Sequence, residues 1–139
     1  MERKPNILLE KSEAFAGRIV KMYQYLITQK KEQIMSKQVV RSGTSIGANI
    51  AESRNAQSVM DYINKQNIAL KEADETAFWI KNLYHGGYLS EKEYVSISAD
   101  CDELVRMLVS SVKTLKKRWG NYRLQCNHIS HFSLLISHL

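Results

Sequence analysis

A chain of 139 residues with 44% hydrophobic content fits one domain, and at this size folding buries about two-thirds of the unfolded surface. A single proline, Pro5, and only six glycines leave long uninterrupted stretches, and Lys, Glu, Ala and Leu usage argues against a sheet. The net charge of +6 favours acidic partners, and no segment reaches the roughly 18 apolar residues of a membrane span.

The first expected helix opens with Ser12 as its cap and carries Phe15, Ile19, Met22 and Leu26 along one stripe. It ends near Thr28, and residues 1–11 read as an N-terminal arm. A polar connection from Gln29 to Met35 follows, of a length common between antiparallel helices.

Ser36 is the expected cap of the second helix, whose seam is Val39, Gly43, Ile46 and Ile50. Gly43, Gly47 and Ala51 fall four apart on one face, where missing side chains let another helix come close. Each glycine costs roughly 1 kcal/mol of helix propensity relative to alanine, so a close contact is the natural compensation. Arg41, Ser45, Asn49 and Glu52 flank this seam. Glu72 and Glu75 are candidate partners for Arg41, and Asn49 is expected to bond across the bundle.

Ser58-Val59-Met60-Asp61 resembles a capping box for a third helix of about seven turns, with Ile63, Gln66, Leu70, Ala73, Ala77, Ile80 and Tyr84 in one register. His85-Gly86-Gly87 supplies its stop, and Ser90 with Glu93 forms a full capping box for the fourth helix. There Tyr94, Ile97, Cys101, Leu104, Leu108, Ser111 and Leu115 alternate steps of three and four, the register of an antiparallel bundle. Cys101 is then a small buried hydrophobe. Gly120-Asn121 reads as the end of this helix, leaving a tail over 119–139 in which Ile129, Phe132, Leu135 and Ile136 suggest a short amphipathic segment. The fold class is all-α, an antiparallel up-down-up-down four-helix bundle over 12–118 with an extra C-terminal tail.

Ile68, Phe78 and Trp79 in the third helix and Val95 and Val109 in the fourth stand away from the seams, which suggests an oligomer interface. Lys113, Lys116, Lys117, Arg118 and Arg123 form the sharpest basic imbalance, with a smaller one at Arg3 and Lys4. Lys113, Lys116, Lys117 and Arg118, with Arg3 and Lys4, are candidate phosphate contacts, although a helix C-terminus favours Lys and Arg without any ligand.

Catalytic patterns are missing from the sequence. Glu52, Glu72 and Glu75 lack the Glu-x-x-His pairs of di-iron bundles, Cys126, His128 and His131 offer three metal-capable side chains with no second cluster, and Gly43 to Gly47 lacks the Lys-Ser/Thr of a phosphate loop. No metal or cofactor is expected. Cys101 and Cys126 show no disulfide framework, and with no signal-peptide pattern at the N-terminus a reduced, cytoplasmic setting is expected.

Arg41-Ser-Gly-Thr-Ser-Ile-Gly-Ala-Asn-Ile-Ala-Glu52, then Ser58-x-x-Asp61-Tyr62, Ile68-Ala-Leu-Lys-Glu-Ala73, Glu75-Thr76 with Trp79, and Gly87-Tyr88-Leu89, closely resemble the bacterial four-helix-bundle proteins named after 23S rRNA intervening sequences. The resemblance runs from Lys11 to Lys117. It implies a ring-like homopentamer with a central channel, and kinship with the accessory protein of diversity-generating retroelements, a basic pentamer that binds reverse transcriptase and nucleic acid. It implies no catalytic activity, and it gives Arg41, Gly43, Gly47, Asn49, Glu52 and Glu72 as packing positions. The expected function is a non-enzymatic oligomeric scaffold or adaptor that binds RNA, DNA or a ribonucleoprotein; the alternative is a protein-interaction module without nucleic-acid binding.

Overall fold

Four helices follow one another in a computed structural model that describes residues 6–136, and the side chains of residues 6–126. They are α1 (Ile7–Thr28), α2 (Met35–Ser53), α3 (Val59–His85) and α4 (Glu91–Ile136). Each helix packs on its neighbours in sequence, α2 on α3 most extensively, and α4 returns to touch α1 more sparsely.

Pairs of touching residues fix the directions. Gly43 and Gly47 of α2 meet Ile19 and Ser12 of α1, while Ser42 and Ser53 of α2 meet Thr76 and Gln66 of α3. Tyr84 stacks on Tyr94 at 4.4 Å, and Ser111 reaches Gln66, so α3 and α4 also run oppositely. Lys11 pairs with Glu103 and Arg18 with Asp100, which closes the ring between α1 and α4. In every case the number rises on one helix as it falls on the other, the signature of an antiparallel bundle.

Three helix boundaries differ from those expected. α1 begins at Ile7, not after Ser12: Asn6 Oδ1 accepts from the Leu9 amide at 3.1 Å. Ser12 is buried within the helix and donates to Leu9 O at 2.7 Å, where its small size suits Gly47 opposite. α2 is not capped by Ser36 either. Lys31 takes a left-handed φ of 56°, and the chain then turns so that Glu32 folds over the helix start. Its Oε1 accepts from the Ile34 and Met35 amides at 3.0 and 2.9 Å, and its Oε2 from Ser36 at 2.7 Å. One carboxylate thereby satisfies three of the donors that a helix start leaves open.

The third difference is larger: α4 passes through Gly120 and Asn121 without stopping, and continues to Ile136. At about 1.5 Å per residue its 46 residues span about 69 Å, against about 40 Å for the 27 residues of α3. The excess projects past the turn that joins α2 to α3. The expected capping boxes are in place: Ser58 Oγ accepts from Asp61 at 3.0 Å, Ser90 Oγ from Glu93 at 3.1 Å, and Glu93 Oε1 from Ser90 at 2.9 Å.

Phe15, Ile19, Leu26, Val39, Ile46, Ile50, Ile80, Leu83, Leu104 and Leu108 fill the core. In α3 the buried line is Ile63, Gln66, Ala69, Ala73, Thr76, Ile80 and Leu83, so the axis of burial lies between the expected stripe and its neighbour, and Leu70, Ala77 and Tyr84 are half-buried. Buried polar groups pair across helices. Thr76 Oγ1 meets Ser42 Oγ at 2.9 Å, and Gln66 links Ser53 of α2 at 3.3 Å to Ser111 of α4 at 3.2 Å. Among the described residues no buried side-chain donor or acceptor lacks a partner, as a tightly packed polar rung requires.

Candidate nucleic-acid interface

The charge of this chain is sharply divided. Glu103 is the last acid, and the residues up to it hold fourteen Lys or Arg and fourteen Asp or Glu, so they are neutral as a set. The remaining six cations, Arg106, Lys113, Lys116, Lys117, Arg118 and Arg123, supply the whole net charge of +6. All six side chains are exposed on α4.

Their position changes the explanation of the basic run. A helix C-terminus attracts cations only over its last turn. With α4 extending to Ile136, Lys113 to Arg118 lie about five turns before its end, out of reach of that effect. Consecutive Lys116, Lys117 and Arg118 point about 100° apart and therefore ring the helix rather than sharing one face. Arg3 and Lys4, the other candidate phosphate contacts, lie outside the described residues.

The family-type positions of α2 face inward or sideways into the bundle. A Cβ on Gly43 would stand 2.8 Å from Ile19 Cγ2, and one on Gly47 would stand 3.2 Å from Ser12 Oγ, so both glycines serve the approach of α1. Ala51, the third member of that spacing, is exposed. Arg41 meets both expected partners, Glu72 at 3.4 Å and Glu75 more closely. Glu75 Oε1 also accepts from the Trp79 indole N–H at 3.2 Å. Asn49 does not reach across the bundle; it donates to Ser45 O of its own helix at 2.8 Å. Glu52 pairs with Lys65 at 2.8 Å, which raises the pKa of that lysine.

Of the candidate oligomer contacts, Phe78 is 57% and Val95 58% exposed, with Ile68 and Val109 less so. Trp79 differs from the expectation. It is half-buried against the core, edge-on to Phe78 at 5.0 Å, and held by Glu75, so it belongs partly to the α2–α3 contact.

Among the described residues no group of three His, Cys, Asp or Glu is placed to hold a metal ion; His128 and His131 fall outside the described side chains. Burial pushes the Cys101 thiol up to about 12, with Asp102 and Asp74 adding to it, so this cysteine is a poor nucleophile. A groove of about 580 Å³ between α1 and α4 is lined by Arg18, Lys21, Met22, Tyr25, Lys92 and Glu93, and it is open to solvent. No helix is long and apolar enough to cross a membrane among the residues described.

The family model described as 23S rRNA-intervening sequence protein matches residues 4–110. The chain belongs to this family. Among solved structures, a protein of unknown function from the S23 ribosomal protein family of Bacteroides thetaiotaomicron VPI-5482 is 50% identical, with a TM-score of 0.76 over 77% of this chain and 99% of that one. A comparison with curated proteins finds no match. For this member of the 23S rRNA-intervening sequence protein family, the match therefore covers the bundle and ends before Lys113, earlier than the resemblance read from motifs alone. Five of the six unbalanced cations lie beyond what the family model describes.

These cations are legible in the sequence, but their setting is not. The missed signal was the continued spacing of Leu115, Trp119, Tyr122 and Cys126, which keeps steps of four and three through Gly120.

Proposed function

We propose that this chain is a non-enzymatic oligomeric scaffold or adaptor that takes RNA or a ribonucleoprotein on the projecting part of α4. The observation that carries this reading is the confinement of the entire net charge to α4 beyond Glu103, on a helix that outruns its bundle. Cations ringing a rod suit a polyanion whose phosphates lie on several sides, and they bind backbone rather than base edges. Structured RNA, which presents phosphates on several sides, is the first ligand to try. Self-assembly belongs to the same reading: Ile68, Phe78, Val95 and Val109 leave apolar side chains on outer faces, and the resemblance implies a homopentamer. Several basic rods held by one assembly would bind a long RNA at several points, raising avidity without new contacts.

Fluorescence anisotropy with a structured RNA at 50 and 200 mM salt tests this. If four cations contact phosphates, affinity falls roughly a hundredfold between the two salts, with little sequence preference. Replacing Lys113, Lys116, Lys117 and Arg118 by glutamine abolishes the binding. An absence of binding at 50 mM salt overturns the nucleic-acid part, and light scattering that gives a monomer overturns the assembly part.

A further inference from the structure

The core-facing side of α4 does not end with the bundle. Val112 is 6% exposed, Leu115 is half-buried beside the α2–α3 turn, and the same line continues through Trp119, Tyr122 and Cys126 in steps of four, three and four. The Trp119 and Tyr122 rings stack at 5.9 Å, and Tyr122 is 59% exposed. In sequence the same steps run on to Ile129, Ser133 and Ile136, within the helix. This is a strict two-in-seven seam, the pattern by which one helix receives another. Inside the bundle its partners are α2 and α3, and Leu115 still lines a groove with the turn that joins them; farther along, Trp119 is half-buried and Tyr122 exposed.

We infer that the projecting seam of α4 receives an acidic amphipathic helix of a partner protein. Charge on the two flanks selects this occupant. Lys116 and Arg123 stand at one flanking position of the seven-residue repeat, and Arg118 and Gln125 at the other, all exposed. A second copy of α4 would bring Arg118 against Arg123 if parallel, and no acid follows Glu103 to form an ion pair in either direction. A helix with Glu or Asp on its flanks pairs with all three cations. A bilayer surface needs a wide apolar face, whereas these cations border the seam immediately on both sides. Where the seam leaves the bundle, a groove of about 360 Å³ between Arg54, Ala56, Val59, Tyr62 and Leu115 offers a seat for the end of the incoming helix. Val59 and Met60 are 45% and 46% exposed beside it. The inference stands apart from RNA binding, which needs the charges and not the seam.

The test is anisotropy of the full chain with a synthetic four-heptad peptide carrying Leu at its seam positions and Glu on its flanks. The comparison peptides are the same composition with the seam scrambled, and the same seam with Lys flanks. We expect the first to bind at least tenfold more tightly than either comparison. W119A/Y122A removes this preference while leaving RNA affinity and the thermal midpoint unchanged. Reversing the flanks (K116E/R118E/R123E) transfers the preference to the Lys-flanked peptide. Equal binding to the scrambled peptide would reduce the effect to bulk charge and overturn the proposal. So would co-sedimentation with phosphatidylserine vesicles without peptide binding, or a lower subunit count in W119A/Y122A, which would make a second copy the occupant.

Discussion

Gly43 and Gly47 look equivalent in sequence and are not equivalent in the bundle. At Gly43 a Cβ would stand 2.8 and 3.0 Å from two carbons of Ile19, a fully buried β-branched side chain with no room to retreat. At Gly47 the nearest atom is Ser12 Oγ at 3.2 Å and the next is at ordinary contact distance. Overpacking costs about 1–3 kcal/mol and alanine returns about 1 kcal/mol of helix propensity. Gly43→Ala therefore destabilises by up to about 2 kcal/mol, and by more than Gly47→Ala, an ordering that urea denaturation resolves.

Glu32 is the second residue whose weight exceeds its appearance. Burial opposes its ionisation, but the Met35, Ser36 and Ile34 amides outweigh that and hold its carboxyl below the usual range. Glu93 is lowered too, through the Ser90 amide and hydroxyl. A carboxyl whose pKa is lower in the folded chain adds stability above its unfolded pKa of about 4.3 and loses it as pH falls through the folded value. Glu32→Gln costs about 1–2 kcal/mol at pH 7, because a neutral amide accepts more weakly and offers one oxygen instead of two. As the pH falls from that unfolded value through the lower folded one, wild type and variant converge, and chemical denaturation from pH 3 to 7 traces the difference.

At the level of helices, register was far easier to read than ends. The α4 stripe is correct at Ile97, Cys101, Leu104 and Leu108 because four consecutive turns repeat one spacing and leave a single solution. Ends depend on which of several capable side chains wins. Asn6 and Ser12 can both cap, and the choice falls to Asn6 because Ser12 is needed under Gly47. Glu32 caps α2 from two residues before Ile34, a geometry that rests on the left-handed turn at Lys31 and has no local sequence signature. Gly120 has the look of a stop in the sequence. It costs the helix only about 1 kcal/mol, however, and a single glycine does not override the spacing that continues on either side of it. The candidate site was legible as a list of cations, while the rod beneath them became visible only with α4 complete.

The same boundary predicts what removal does. Among the described side chains the buried residues of α4 end at Val112, and Leu115 is the last to line a groove with the α2–α3 turn. A chain stopped after Lys117 keeps its thermal midpoint within a few degrees, since exposed helix adds little to a packed core. Its circular dichroism falls by the share of some 19 helical residues, from Arg118 to Ile136. A large loss of midpoint would mean that the distal helix folds back onto the bundle.

Across the whole molecule, packing and charge divide along the chain. The part up to Glu103 is neutral, pairs its own ions at Lys11, Arg18, Arg41 and Lys65, and carries the motifs shared with the family. The remainder of α4 carries the surplus charge and, past Leu115, the continued line of Trp119 and Tyr122. That α4 is one unbroken helix has a mechanical consequence. A hinged tail would sweep through a sphere around its anchor, but a continuous rod takes its direction from the four-helix base, and torque applied at its tip is felt at Cys101 and Leu104. Whatever grips the far end therefore grips an object with a heading, and several bases fixed to one another would hold their rods at fixed mutual angles, like spokes set in a hub.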